Sequence, residues 1–297
     1  MKTDERLNLR TVLGPYLHTQ PLKVGEVVSD RLTLAHEHYD PVIRAFRPMA
    51  NELAFDVSEM ALVTYMLCRD LGRPIVGIPV VLMQQPELPA LVCSASSTIR
   101  GPKDLMGRAI GVRAYTQTTG AWVRGILQAS FDVDLSRLQW ITLEAAHVDG
   151  YEEPQNVIRS HSNKSLLEML TSGEVDSAVG IEGAARRPDM RTVIPDADRA
   201  EAAWAQRMGG HPINHILVVR EELARGHPWL THELMTLFEA ARERALRLAA
   251  ESDTGTIAFP AFGLEANRAA VQTLAQFAFD QKITRRLLSV EELFPEV

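Results

Sequence analysis

The sequence predicts an α/β fold with two lobes, and three observations along its 297 residues support that prediction. Short apolar, β-branched runs are typical of buried strands, and they alternate with longer segments of helical periodicity. Glycine or proline marks most of the boundaries between them. Long helices follow a central βαβ region, which predicts that the chain leaves one lobe, forms a second and then returns to the first.

The strands and helices are predicted, in chain order, from the spacing of apolar residues and from the glycines and prolines that separate the segments. Predicted strands cover 31–39, 74–83, 109–112, 138–143, 175–181 and 213–220. Predicted helices cover 57–71, 119–129, 163–171, 197–208, 228–251 and 264–281. We therefore assign 1–98 and 206–297 to the first lobe and 99–205 to the second.

Composition narrows the functional class. The chain is 46% hydrophobic and 23% charged, with a formal net charge of −7 and no run of five like charges. Such a balance argues against a nucleic-acid or anionic-membrane surface, because both need a basic patch. A small-molecule ligand is the expected partner, and assembly into a homo-oligomer stays open.

The expected cellular location is the cytoplasm. The N-terminal segment carries acidic residues and lacks the apolar region of a signal peptide. No apolar run approaches the roughly 18 residues of a membrane helix. Cys68 and Cys93 lie among apolar neighbours without a metal-ligand spacing, which predicts two buried free thiols.

The segment 100–127 predicts an anion site. It gives a turn, a short strand, a threonine-rich loop and a helix, so hydroxyl and N–H donors gather at a helix N-terminus. Thr118 and Thr119 are candidate ligands of a carboxylate, or else one of them is an ordinary cap. Arg124 follows Thr119 by about one and a half turns, so it either reaches the same anion or pairs with a surface acid.

Two histidines end the strand predicted at 31–39. Period-two alternation places His36 and His38 on the face that carries Leu32 and Leu34, before the turn at Asp40. One interpretation is a site at the carboxyl end of the strand; the other is two partly exposed histidines. A His-x-His metal site of the amidohydrolase type is a further, weaker alternative, because later strand ends lack the other ligands.

Four further residues have both a structural and a functional interpretation. Ser58 and Glu59 begin the predicted helix, where a cap and a first-turn acid interacting with the dipole would explain them. His211 and His215 are four residues apart on a predicted strand, where a metal site is the weaker interpretation. His215 is a candidate proton donor because an ordinary imidazole titrates near neutral pH, and a core histidine is the alternative.

Two resemblances connect these residues. The stretch LLEMLTSGEVDSAV at 166–179 resembles the helix, glycine turn and strand of type II periplasmic binding proteins, which implies a ligand cleft between the lobes. Separate stretches resemble the 4,5-dihydroxyphthalate decarboxylase family: FDVSEM at 55–60, RGPKDL at 100–105, GRAIGV at 107–112, WVRGIL at 122–127, PINH at 212–215 and GLEANR at 263–268. The family resemblance implies a cytoplasmic enzyme that removes CO2 from a hydroxylated aromatic acid.

The resemblance also implies roles for residues. The implied catalytic residues are His215, Glu59, His38 and Asp40. The implied substrate-binding residues are Ser58, Tyr39, Tyr115, Thr118, Thr119, Arg124 and His211. One departure concerns 83–88, which reads MQQPEL where the family tends to carry an arginine-rich stretch. Because glutamine cannot replace the charge of a guanidinium, we expect altered recognition of a dianionic substrate.

The expected reaction needs no organic cofactor. A hydroxyl ortho or para to the carboxylate, polarised by His38, Asp40 or Glu59, lets the ring accept a proton from His215 or Glu59 and then lose CO2. The sequence has neither a Rossmann glycine motif nor a Walker loop. We predict no metal, although a divalent ion that holds a catechol pair stays open because of His36, His38 and Asp40. A non-catalytic solute-binding protein or sensor of the same fold is the alternative function.

Overall fold

A computed structural model describes residues 6–251 and 258–295 of the chain. Its strands are β1 (Leu7–Val12), β2 (Leu32–His36), β3 (Val57–Ala61), β4 (Ile75–Gln84), β5 (Leu91–Ser94), β6 (Ala109–Val112), β7 (Gln139–Thr142), β8 (Val157–Arg159), β9 (Ser177–Val179), β10 (Met190–Thr192) and β11 (Ile213–Arg220). Its helices are α1 (Gln20–Lys23), α2 (Phe46–Glu52), α3 (Leu62–Asp70), α4 (Thr118–Phe131), α5 (Leu166–Ser172), α6 (Ala197–Met208), α7 (Glu221–Gly226), α8 (Leu230–Glu251), α9 (Leu264–Asp280) and α10 (Val290–Leu293). The predicted α/β class is confirmed.

The chain divides into two compact units. As far as their residues are described, the first consists of Met1–Gln84, Ile213–Arg268 and Ser289–Val297, and the second of Gln85–Pro212 and Ala269–Leu288. The predicted lobe boundaries therefore need correction at three places, one of which is 206–212, the end of α6 and the residues before β11, which belong to the second unit. Residues 85–98 join the second unit because β5 pairs with β9 and β10. Residues 269–288 join it as well, where Phe277 of α9 packs edge-on against Trp122 of α4 at 5.9 Å between ring centroids.

The first unit is built on a five-stranded mixed sheet with the order β2-β1-β3-β11-β4. Strand β1 runs parallel to β2 and β3, and β11 runs antiparallel to β3 and β4. The apolar side chains of these strands pack with Leu230, Leu234 and Phe238 of α8 in one buried core. All five residues of β3 are buried, because β3 lies between two other strands. Polar side chains on β3 therefore need partners inside the protein.

Strand β3 corrects the helix predicted at 57–71. Residues 57–61 are extended, and the helix begins only at Leu62. Ala61, the last strand residue, has φ −62° and ψ 134°, so the chain passes from strand to helix without a glycine or proline to mark the change. Ser58 is not a helix cap; its hydroxyl donates to the backbone carbonyl of Glu59 at 2.8 Å.

The second unit contains a six-stranded sheet with the order β10-β5-β9-β6-β7-β8. Strands β9, β6, β7 and β8 run parallel, and β5 runs antiparallel to β9. Met169 and Leu170 of α5 pack on Val92 and Ala178 of this sheet. Helix α5 begins at a capping box between Ser165 and Glu168. The predicted strand at 109–112 coincides with β6.

The structure also describes the two cysteines and the apolar content of the helices. Cys68 and Cys93 are buried free thiols, as predicted. Burial raises the pKa of the Cys68 thiol to about 12. Within the described ranges, every helix is too short or too polar to serve as a membrane span.

Candidate active site

The register of the first sheet brings Glu59 and His215 together. Leu217 of β11 lies opposite Glu59 of β3, and His215 lies opposite Ala61. Side chains two residues apart on a strand share a face, so His215 is the diagonal neighbour of Glu59. The Nδ1 atom of His215 lies 2.6 Å from Oε1 of Glu59. Two residues that are 156 positions apart in the sequence thus form a buried acid–imidazole pair.

The loop after β1 supplies the remaining partners of Glu59. The hydroxyl of Tyr16 donates to Oε1 at 2.5 Å, and the backbone N–H of Gly14 donates to Oε2 at 2.7 Å. The side chain of Glu59 is completely buried, and His215 keeps 12% of its side chain exposed. Each carboxylate oxygen therefore accepts at least one hydrogen bond, which is what a buried anion requires.

The surroundings of Glu59 favour its ionised form. Burial raises the pKa of this carboxyl, but the hydrogen bond and charge of His215, with donation from Tyr16 and Gly14, together hold it below its ordinary value. Because an ionised carboxylate only accepts hydrogen bonds, the Nδ1 atom of His215 carries a proton. The other ring nitrogen, Nε2, is then the atom at which His215 can gain or release a proton.

Aromatic rings limit the movement of this pair. Phe46 of α2 meets the imidazole of His215 edge-on, at 5.1 Å between centroids and an interplanar angle of 90°. Tyr16 stacks with His18 at 5.4 Å. Burial lowers the pKa of His18 to about 4, although the charge of Glu59 opposes the shift, so this second imidazole is neutral at neutral pH. The pKa of the Tyr16 phenol is raised by burial and by the Glu59 charge, which keeps it a donor.

The loop residues were missed by the sequence analysis. Gly14 and Tyr16 follow β1, a strand that was not predicted. The run LNLRTVLGPY at 7–16 contains the signal that could have shown it, since Leu7 and Leu9 alternate with polar residues and an apolar pair follows before a Gly-Pro turn. No local sequence pattern predicts that this turn contacts Glu59, because Glu59 lies 45 positions after Gly14.

The other predicted residues of the first unit lie outside this group of contacts. His38 and Asp40 are exposed and follow the end of β2. Tyr39 is half-buried and packs edge-on against Phe55 at 5.3 Å. The predicted strand at 31–39 ends at His36, so the alternation that placed His38 on its face does not extend that far. Catalytic roles for His38 and Asp40 stay predictions.

The predicted anion site lies in the second unit. Thr118 and Thr119 are buried and begin α4, as predicted to within one residue. Arg124 is completely buried, where its Nε donates to the side-chain oxygen of Gln281 at 2.6 Å and its Nη2 to the carbonyl of Tyr115 at 2.5 Å. Its guanidinium also lies 4.0 Å from the ring centroid of Tyr115.

These contacts give Arg124 and Tyr115 a packing function. The guanidinium joins α4 to Gln281, the residue after α9. The acceptors of these two hydrogen bonds are neutral oxygens and not carboxylates. His211 is exposed and precedes β11 by two residues. Substrate contacts for these residues and for the two threonines stay predictions, and the proposal below does not use them.

The geometry gives no metal centre within the described ranges. Among residues 6–251 and 258–295, no three side chains of the His, Cys, Asp or Glu type lie close enough to hold a metal ion. The amidohydrolase alternative fails on architecture as well, because His36 ends an edge strand of an open sheet and not a strand of a barrel.

Comparison with known proteins identifies relatives by sequence. No protein-family model matches the chain. A 4,5-dihydroxyphthalate decarboxylase from Comamonas testosteroni is 27% identical over 276 residues, which cover 86% of this chain and 81% of that protein. A protein of the same name from Pseudomonas putida is 29% identical over 192 residues, or 59% of this chain and 70% of that one.

Solved structures identify the fold. The periplasmic aliphatic sulphonate binding protein SsuA from Escherichia coli matches with a TM-score of 0.63 over 98% of both chains. Its sequence identity of 11% makes this a likeness of fold alone. Both resemblances predicted from the motifs are thus confirmed. The chain is a relative of the 4,5-dihydroxyphthalate decarboxylases and has the α/β fold of type II periplasmic binding proteins.

Proposed function

We propose that the protein is a non-oxidative decarboxylase of a hydroxylated aromatic carboxylic acid. The observation that carries the proposal is the pairing of His215 with the buried carboxylate of Glu59 at 2.6 Å, in a chain similar to two 4,5-dihydroxyphthalate decarboxylases. A buried carboxylate that orients an imidazole and favours its protonated form is a common arrangement for general acid catalysis.

In the proposed mechanism, His215 is the general acid. Its Nε2–H bond breaks and the proton forms a C–H bond at the ring carbon that bears the carboxylate. The ring hydroxyl, ortho or para to that carbon, donates electron density to the dearomatised intermediate. The bond from the ring to the carboxylate then breaks, its electron pair restores the aromatic ring, and CO2 leaves. His215 regains a proton from solvent, so the sum is one proton consumed and one CO2 released.

Glu59 has a supporting part in this mechanism. Its low pKa and its three donors favour a permanent anion, so the proposal assigns it the orientation of His215 and the stabilisation of the imidazolium. The alternative role of Glu59 as proton carrier is less favoured, because a carboxyl with a lowered pKa holds a proton poorly at neutral pH. Tyr16 donates to the same carboxylate oxygen as His215 and so helps to stabilise the negative charge of Glu59.

The substrate is proposed only as a class. Met83 of β4 is the register partner of His215, and Met83 and Gln84 are half-buried neutral side chains where the family resemblance implied arginines. A neutral strand end beside His215 provides no charge for a second carboxylate. Monocarboxylic hydroxybenzoates therefore belong in the substrate panel beside 4,5-dihydroxyphthalate.

The test is CO2 release from purified protein, with parallel loss of substrate absorbance, over that panel and with or without added divalent metal. We expect His215→Asn to lower kcat by about 10³-fold, within the range of general acid catalysis, while substrate affinity changes less than about tenfold. His232→Asn is the matched control, because His232 is an exposed histidine on α8. If affinity and turnover fall together in His215→Asn, His215 binds substrate and is not the acid.

A non-catalytic solute-binding protein or sensor is the second candidate. The observation in its favour is the fold likeness to a sulphonate-binding protein. The same assay separates the two candidates, because saturable binding of a panel member without CO2 release would assign the chain to the binding class.

A further inference from the structure

Lys23 reaches the same loop that contacts Glu59. Its ammonium group, at the end of α1, donates to the backbone carbonyls of Leu13 at 2.9 Å and of Gly14 at 2.7 Å. The carbonyl of Leu13 and the N–H of Gly14 belong to one peptide group. That N–H is the donor to Oε2 of Glu59. One planar peptide unit therefore joins the cation of Lys23 to the anion of Glu59.

Hydrogen bonds at the two ends of a peptide group strengthen each other. A cation at the carbonyl oxygen draws electron density from the amide, so the N–H becomes a better donor. Charge-assisted hydrogen bonds are also stronger than neutral ones. The contacts thus form a series from the ammonium of Lys23, through the peptide of Leu13 and Gly14, to the carboxylate of Glu59 and the ring of His215.

The loop has little room to adopt another position. A Cβ atom on Gly14 would lie 2.7 Å from the ring of Tyr16 and 2.9 Å from Oε2 of Glu59, closer than such atoms approach. The backbone at Gly14 therefore lies in close contact with the carboxylate of Glu59. Because Lys23 donates to the carbonyls of two successive residues, Leu13 and Gly14, it restrains the orientation of the peptide between them.

The charges around Lys23 agree with this arrangement. Burial lowers the pKa of the Lys23 ammonium, and the charge of Glu59 partly restores it. Other titratable groups near the series are His36 at the end of β2, which interacts electrostatically with Lys23, and His18 beside Tyr16, which interacts electrostatically with Arg242 of α8. Burial lowers the pKa of both imidazoles, and Lys23 is the cation that donates to the Leu13–Gly14 peptide.

We propose that Lys23 is a positioning residue, which acts on the reaction by orienting the Leu13–Gly14 peptide against Glu59 and thereby fixing His215. The inference rests on the proposed function for its kinetic consequence but not for its structural one. Lys23 contacts neither His215 nor the reacting atoms in this role.

The test uses the full chain with Lys23→Met, and with Lys103→Met as the matched control, because Lys103 is an exposed lysine of the second unit. The first readout is the amide proton of Gly14 by NMR, whose downfield shift reports its bond to the carboxylate. We expect that shift to move upfield in Lys23→Met and to stay unchanged in Lys103→Met. The pH at which it titrates should rise, because Glu59 loses a nearby cation and part of a donor.

The second readout is kinetic. We expect kcat to fall about tenfold in Lys23→Met while KM changes less than about threefold, since orientation of a catalytic group affects the transition state more than binding. A folded variant with the wild-type Gly14 shift and with kcat within about twofold would overturn the proposal. Should Lys23→Met fail to fold, Lys23→Gln, whose amide can donate to one carbonyl only, takes its place.

The two readouts also separate this inference from the proposed function. A shifted Gly14 amide in a protein that decarboxylates no panel member supports the positioning of Glu59 by Lys23 and contradicts the decarboxylase. An unchanged amide in an active enzyme contradicts the positioning and leaves the decarboxylase supported.

Discussion

Glu59 in the first unit and Arg124 in the second are both completely buried charged side chains, but their partners differ. Glu59 accepts from the backbone of Gly14 and from the side chains of Tyr16 and His215, and the imidazole of His215 keeps 12% exposure. Arg124 donates to the neutral oxygens of Gln281 and Tyr115, and its guanidinium packs on the rings of Tyr115 and Trp140. Burial lowers the pKa of the Arg124 guanidinium, but arginine remains a cation in proteins.

The two charges differ in their neighbours. The buried carboxylate of Glu59 orients an imidazole, whose free ring nitrogen can gain or release a proton, so the environment of Glu59 can affect chemistry. The buried guanidinium of Arg124 packs on Tyr115 and Trp140 and donates to neutral oxygens, so its contacts stabilise the fold. Substitutions at the two sites should therefore have different consequences, one in stability and the other in turnover.

The largest expected effect is the loss of stability in Arg124→Ala. The change leaves the backbone carbonyl of Tyr115 and the side-chain oxygen of Gln281 without their donor, and it opens a cavity beside Trp140. The free energy of unfolding should therefore fall by about 4 kcal/mol. Chemical denaturation measures it, with the exposed Arg225→Ala as the control. A small loss of stability with a large rise in KM would instead assign Arg124 to the substrate and remove the contrast between the two charges.

A smaller effect, on turnover, is expected for Glu59→Gln. Glutamine keeps the volume but not the charge, so His215 loses the partner that orients it and stabilises its protonated form. We expect kcat to fall about 10²-fold, with little change in KM. Steady-state kinetics on the substrate that the panel identifies gives the measurement, and Glu144→Gln, an exposed acid of the second unit, is the control. Unchanged kcat would place Glu59 in the same structural class as Arg124.

The smallest effect concerns pH. Because the pKa of Glu59 is lower in the folded protein than in the unfolded chain, its contribution to stability is fully present above the ordinary glutamate pKa. That contribution is lost as the pH falls through the lower, folded-state value. The free energy of unfolding of wild type should therefore decline more steeply on acidification than that of Glu59→Gln. Parallel acid dependence in denaturation experiments would contradict the lowered pKa.

The sequence predicted the fold better than the site, and the reason lies in the range of the signals. Strand β6 and helix α4 each have a local pattern of apolar residues with a turn on either side. Their positions could therefore be predicted from the sequence. Strand β3 was taken for a helix, because its five buried residues continue into α3 without a turn residue between them. The lobe boundaries differed because pairing of β5 and packing of α9 depend on tertiary contacts.

The contacts of the candidate site likewise depend on residues that are distant in the sequence. Glu59 and His215 were predicted as functional residues, and the structure brings them into contact, although their roles stay predictions. Gly14, Tyr16 and Lys23 were missed, because their connection to Glu59 depends on the pairing of β1 with β3 and not on any spacing in the sequence. His38 and Asp40 were chosen from a strand pattern that ends two residues before His38.

The two cysteines allow the opening rates of the two units to be measured separately. Cys68 lies in the first unit and Cys93 in the second, and both are buried free thiols whose pKa is raised by burial. A thiol reagent needs an accessible thiolate, so it modifies either residue only while the surrounding structure is open. The chain thus carries one chemical reporter in each unit, and the two labelling rates compare how often each unit opens without any added probe.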